Sequence, residues 1–350
     1  MNKERCRKLV ERAVENFQLD LSGLTVLTEA ASNNFSFTPL IAARAKAERV
    51  LVLSKDSKYG KGEDVARDVL ALARDWGVDG KVVAIPRHSE LVGQADIVTN
   101  LGFVRPIDGS FLGRLKEEVV IPLMWETWEF RPKDLDLVEC RRKGIPVLGT
   151  NEGHPLLRTF DFIGLLAVKL LMEAEIEILF SKILVIGSGA FGATVQKTLL
   201  AAGADVLLNK ANEKALDCSW PDAIVLVEHV SRELLLGQGA FINIDQLKKI
   251  NPACVIVHIA GSVDFPALKS SGLSFVPTDI APSGHMSRTT DHLGPRPVID
   301  LHAAGLKVGE LMARSRRTGH KGRQCELAVL KISDLAQDFA AADRTAMGAQ

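Results

Sequence analysis

The chain has 350 residues, enough for two domains of ordinary size. Its 43 Lys and Arg balance 43 Asp and Glu, so there is no net field to hold nucleic acid or an anionic membrane. A hydrophobic share of 47% can fill two cores, no apolar run reaches the ~18 residues of a membrane span, and the charged N-terminal stretch holds no signal-peptide core. The five cysteines form no Cys-x-x-Cys pair and no zinc-spaced Cys/His cluster, so reduced thiols, no metal site, no nucleic-acid or membrane partner and a cytoplasmic location are expected.

In chain order, strands and helices alternate. Leu24–Leu27 reads as a strand, followed by a helix with Thr38 as N-cap and Pro39 at its first position. Arg49–Leu53, Lys81–Ile85, Ala95–Asn100, Glu118–Trp125 and Ile145–Leu148 read as further strands, with helices over Gly62–Trp76 and Asp134–Lys143, the latter stopped by Gly144. Continuous Val/Ile/Leu runs suit a parallel sheet buried on both faces. Thr159–Ala174 reads as a helix apolar on nearly all sides, either a core helix or a connector and dimer contact near Phe162. A second α/β series opens at Lys182, with strands at Ile183–Ile186, Asp205–Leu208, Ala223–Val227, Val255–Ile259 and Leu273–Pro277. Ser283–Pro297 reads as a loop, and helices follow over about Ala303–Arg314 and Gln324–Phe339. The expected fold class is α/β with two doubly wound parallel-sheet domains. Residues 1–155 with a C-terminal helical segment, 324–350, form a flavodoxin-like substrate domain, and 156–323 form a Rossmann dinucleotide-binding domain.

Gly187-Ser188-Gly189-Ala190-Phe191-Gly192 fits G-x-G-x-x-G and sits between a strand and a helix, the context that pattern requires. Gly187 permits the tight turn, Gly189 lets backbone approach a pyrophosphate, and Gly192 lets helix pack on strand; the helix N-terminus offers free N–H groups. The next strand ends at Asn209-Lys210, where an NAD site usually carries Asp or Glu. Lys210 can meet a 2′-phosphate, so NADP is favoured over NAD.

The second half resembles the D-2-hydroxyacid dehydrogenase superfamily. The likeness rests on Asp134-Leu135-Asp136-Leu137, Arg142–Val147, the apolar helix from Thr159, the glycine fingerprint, Ile244–Leu247 and Asn251–Val257. It implies an acid/base histidine at His302 and a nicotinamide-side aspartate at Asp279. The family's substrate-clamping Arg-Gly is replaced by Ala260-Gly261, which are counted on the cofactor side, and its Glu partner for the histidine is absent from Ala281–Gly284. A simple keto acid is therefore not the expected substrate.

In such an enzyme the substrate lies in the cleft near the carboxyl ends of the strands. That rule selects Glu29 and Asn33, Asn100, Trp125 with Glu126 and Glu129, and Asn151 with His154. Trp125-Glu126-Thr127-Trp128-Glu129 reads either as an aromatic wall with carboxylates for an amine-bearing substrate or as a packed tryptophan pair. Glu126 is the candidate acid/base carboxylate there. His302 titrates near neutrality and could move the proton that accompanies hydride transfer; the other reading is a core-edge histidine. His229 and His258 are weaker candidates. The expected function is an NAD(P)-dependent oxidoreductase acting on a small polar metabolite, as a homodimer. The alternatives are an enzyme using tightly held NAD transiently, like adenosylhomocysteine hydrolase, and a non-catalytic dinucleotide sensor.

Overall fold

A computed structural model describes residues 2–210 and 217–339. The described chain divides into two compact units, residues 2–157 with 295–339, and Arg158–Gly294.

The first unit opens with helix α1 (Lys3–Asn16). Asn2 caps it by accepting from the Arg5 N–H, and Cys6, Leu9, Val10 and Ala13 form its buried stripe at helical spacing. Then come β1 (Thr25–Glu29), α2 (Thr38–Arg44), β2 (Arg49–Leu53), α3 (Gly62–Asp75), β3 (Val82–Ala84), β4 (Ile97–Val98), α4 (Gly109–Leu112), β5 (Ile121–Pro122), α5 (Leu137–Lys143) and β6 (Val147–Thr150). Strands β3-β2-β1-β4 pair in parallel, a bridge from Ile97 to Val120 carries the sheet across, and β5-β6 continue it. The order 3-2-1-4-5-6 is that of a dinucleotide-fold sheet, not the 2-1-3-4-5 order expected of a flavodoxin-like domain. It reverses direction between β1 and β4, which fixes Glu29 and Asn100 at the switch point.

The second unit contains α6 (Thr159–Glu173), β7 (Lys182–Ile186), α7 (Gly189–Ala201), β8 (Asp205–Asn209), β9 (Ala223–Val227), β10 (Leu234–Gly237), β11 (Ile242–Asn243), α8 (Ile244–Ile250), β12 (Val255–Ala260), β13 (Ser262–Val263), α9 (Phe265–Ser271) and β14 (Phe275–Val276). Its main sheet is parallel, in the order β14-β12-β9-β7-β8, with a small sheet β11-β10-β13 beside it. The main sheet reverses between β7 and β9. Helix α6 buries Ile163, Gly164, Leu166, Ala167, Leu170 and Leu171. Gly164 lets α7 come close, since a Cβ there would stand 2.0 Å from the Thr198 hydroxyl oxygen.

The chain then returns to the first unit through α10 (Pro295–Arg317), α11 (Gly322–Leu330) and β15 (Ala336–Gln337). Three expectations change here. The crossing lies at 294/295 rather than at 323, because α10 packs Ile299, Ala303, Ala304 and Leu306 into the first unit's core. Helix α10 also starts well before its apolar run, at Pro295, on two prolines in its first turn, whose fixed φ suits a helix start. The last helix ends at Leu330, and β15 pairs antiparallel with β6, Ala336 opposite Thr150. The expected continuation over 340–350 lies outside the described residues.

Candidate functional site

At the carboxyl ends of β7 and β9, Gly187–Gly192 forms a strand-to-helix turn. A Cβ on Gly187 would meet Val227 Cγ1 at 2.7 Å, and one on Gly192 would meet the Gly187 carbonyl oxygen at 2.7 Å, so both positions exclude any larger residue. Gly189 has φ +59°, the left-handed region that glycine tolerates best. Ala190 and Phe191 follow in the first turn of α7. The register sets Ile186 against Asn209 on one side and Leu226 on the other, so Asn209 and the end of β9 flank the turn.

The sequence reading missed the residue that organises this corner. Glu228 is buried at 2% exposure. Its Oε1 accepts from the Ser188 hydroxyl at 2.7 Å, the Val230 N–H at 2.7 Å and the Ser231 N–H at 2.9 Å. The Ser188 hydroxyl is therefore engaged by Glu228. His229 stacks on Phe191 with ring centroids 4.0 Å apart. Burial lowers its pKa, opposed by the Glu228 charge. At the other flank, the Asn209 Oδ1 is buried and accepts no hydrogen bond from the described residues, while Lys210 is exposed.

At the end of β12, Gly261 has φ +129° and a Cβ there would clash with Leu235 at 2.5 Å. His258 is fully buried; its Nε2 lies 3.1 Å from the Gly261 carbonyl and its Nδ1 2.7 Å from Ser287 Oγ. The carbonyl can only accept, so Nε2 carries the proton and Nδ1 accepts from Ser287. Burial pushes His258 down to about 4 and keeps it neutral. Ser287 N–H also donates to the Ile259 carbonyl at 2.9 Å, tying the following loop to Ala260 and the sheet. Asp279 forms an ion pair with Arg288 at 2.6 Å.

In the first unit, Glu29 is buried at the end of β1 and accepts from the Phe103 N–H at 2.8 Å. Burial raises its pKa, against that hydrogen bond and the charges of Arg105 and Lys55. Asn100 Oδ1 accepts from the Met124 N–H at 2.9 Å, and Arg105 lies 5.1 Å over the Trp125 ring. Arg105 thus stands near both Glu29 and the Trp125 ring. Asn33 holds φ 54° at the start of a 3₁₀ turn.

The remaining candidates are structural in their observed contacts. Glu126 accepts from Trp128 Nε1 at 2.6 Å and from the Glu152 N–H at 3.2 Å, so both of its carboxylate oxygens are held in place. Glu129 and Glu152 hydrogen-bond each other; burial raises Glu129 to about 7 and Glu152 well above its usual range, with neighbouring carboxylates adding to the rise. Asn151 binds the tail through the Leu335 and Asp334 carbonyls at 2.8 and 2.9 Å, and His154 pairs with Asp334 at 3.3 Å. His302, expected at a helix start, lies inside α10 at 3% exposure, 2.6 Å from Thr38 Oγ1. Burial lowers it to about 4. So enclosed, the imidazole has the contacts of a core residue.

Among the described residues no group of His, Cys, Asp and Glu has the geometry of a metal site, and no helix is long and apolar enough to cross a membrane. The sequence matches no protein-family model and no curated protein. Solved structures are similar in fold. Dipicolinate synthase from Bacillus subtilis shares 13% identity at TM-score 0.55, covering 85% of this chain and 99% of that one. Dipicolinate synthase from Bacillus halodurans shares 10% at 0.52, covering 81% and 96%. The pyruvate reductase of Chlamydomonas reinhardtii shares 12% at 0.50, covering 86% and 99%. The fold is that of two-domain dehydrogenases with a Rossmann domain, the architecture that the resemblance to D-2-hydroxyacid dehydrogenases implied.

Proposed function

We propose that the chain is an NAD(P)-dependent oxidoreductase acting by hydride transfer on a small polar metabolite. The observation that carries this is the turn at the switch point of the second sheet. Side chains are excluded at Gly187 and Gly192, Gly189 is in the left-handed region, and α7 begins there. Such a turn lets backbone and helix dipole approach a pyrophosphate. Lys210, exposed beside Asn209, favours NADP over NAD at the ribose end. Bound dinucleotide supplies the hydride chemistry; the protein holds and orients it. Asp279, paired with Arg288, stays on the nicotinamide side of this reading.

On the substrate side, Glu29, Asn100, Arg105 and Trp125 supply a polar face suited to a hydrogen-bonding metabolite. An amine-bearing metabolite stays within this reading because Ala260 replaces the family Arg, while Glu126 and Glu129 are engaged by Trp128 and Glu152. A homodimer through α6 belongs to the same reading, supported by Leu165 and Met172, which leave 47% and 62% of their surface exposed on that helix.

Turnover tests the proposal. NADPH or NADH is incubated with the protein and a panel of small keto acids, imines and unsaturated acids, following loss of the reduced-nicotinamide signal. Consumption with one of them is expected. Binding without turnover on any member would favour the dinucleotide sensor, a second reading supported by the burial of His302 and His258.

A further inference from the structure

Glu228 sets a problem for any dinucleotide at this turn. Its carboxylate accepts from the hydroxyl of Ser188, a residue of the turn that a pyrophosphate would approach. Gly187–Gly192 itself carries no cationic side chain. A diphosphate approaching that corner meets a like charge, which disfavours binding unless a cation intervenes.

One side chain is placed to intervene. A Cβ built on Gly189 would lie 3.5 Å from His229 Cε1 and 4.0 Å from His229 Nε2, so the imidazole stands beside the glycine that a pyrophosphate must approach. Stacking on Phe191 fixes the ring plane. Building on the dinucleotide reading above, we propose that His229 is the cationic contact of the bound pyrophosphate and takes up one proton from solvent as the dinucleotide binds. The proton comes onto the imidazole, Nε2–H donates to a phosphate oxygen, and no covalent bond changes. An imidazolium also gains from the Phe191 face.

The groups around the ring agree with this linkage. Glu228, on its own segment, is a charged neighbour that favours protonation. Helix α7 presents Phe191 and the turn presents Gly189 and Ser188, none of which titrates near neutrality. In the free protein burial holds His229 below its ordinary value, so it is mostly neutral at pH 7. A diphosphate at hydrogen-bond distance raises it. Affinity is then greatest below the free-state pKa and falls as pH rises through the window between the free and bound values.

The probe is NAD⁺, because the 2′-phosphate of NADP⁺ would itself titrate near pH ~6. Calorimetric titration between about pH 5.5 and 8.5 is expected to show affinity falling with rising pH, by up to about tenfold per pH unit at its steepest. Measured near neutrality in buffers of different ionisation heat, binding should consume a fraction of a proton per site. His229→Gln is expected to bind at the wild type's alkaline affinity with a flat profile and no proton uptake. Binding by the wild type that is flat with pH, or a His229→Gln variant that keeps the slope, overturns the inference while leaving the dinucleotide site intact. The wild-type proton count decides even if the variant does not fold. No binding at any pH overturns the dinucleotide reading and the inference with it.

Discussion

Glu129 and Glu152 share a proton in a buried pair, and their stability contribution has a definite sign. Both hold their protons more tightly when folded than the ordinary value of 4.5. The pair therefore stabilises fully below that value, and its contribution is lost as pH rises through about 7. Glu152→Gln keeps a donor in place without the titration. Its melting temperature should exceed the wild type's above pH ~8 and match it near pH ~5; an unchanged difference across that range would show that the pair does not titrate as a unit. His302 behaves oppositely. Its folded value of about 4 lies below the ordinary 6.5, so stability present above 6.5 is lost as pH falls toward 4. Replacing His302 with Ala leaves a cavity and removes a partner of Thr38, with an expected loss of about 2–4 kcal/mol and unchanged dinucleotide affinity. Chemical denaturation beside a binding titration checks both; a variant of wild-type stability that had lost turnover would support the acid/base role. Among single residues, the glycines were legible because only one residue type fits their space. Glu228 was not, since a Glu after a strand gives no hint that three donors converge on it.

Elements with long apolar runs were read within a residue or two. Arg49–Leu53 and Ala223–Val227 coincide with β2 and β9, because continuous Val, Leu and Ile in a parallel sheet leave little else to form. Short strands such as β4, β5 and β14, two residues each, were overextended, since hydrophobic runs continue past the last ladder bond. Helix α1 was passed over although its stripe is regular, because charged residues dominate its composition. Strand β15 was read as helix. It has too few residues to show a period, and pairing with β6 decides its conformation. That strand also holds the candidate loops. The Thr127 N–H donates to Gln337 Oε1 at 2.7 Å, so the C-terminal segment braces the Trp125–Glu129 stretch. Gln337→Ala should cost about 1 kcal/mol and shift the emission of the exposed Trp128, because it unpins that turn. Unaltered stability and emission would show that β6 alone positions the stretch.

At the scale of the molecule, two α/β units and the glycine turn were visible from alternation and from one motif in its required context. The place where the chain crosses back was not. The segment preceding Ala303 looks like a loop in composition, yet its prolines start the long helix that rejoins the first core. A resemblance in order along the chain likewise does not fix whether a histidine such as His302 faces solvent or a core. The central claim is that Gly187–Gly192 holds a dinucleotide. Titration of the purified protein with NADPH and NADH, followed by nicotinamide fluorescence, tests it most directly. Saturable binding at micromolar concentration is expected, tighter for NADPH, together with its loss in a folded Gly189→Val variant. Failure of the folded wild type to bind either, or unchanged affinity in that variant, would contradict it.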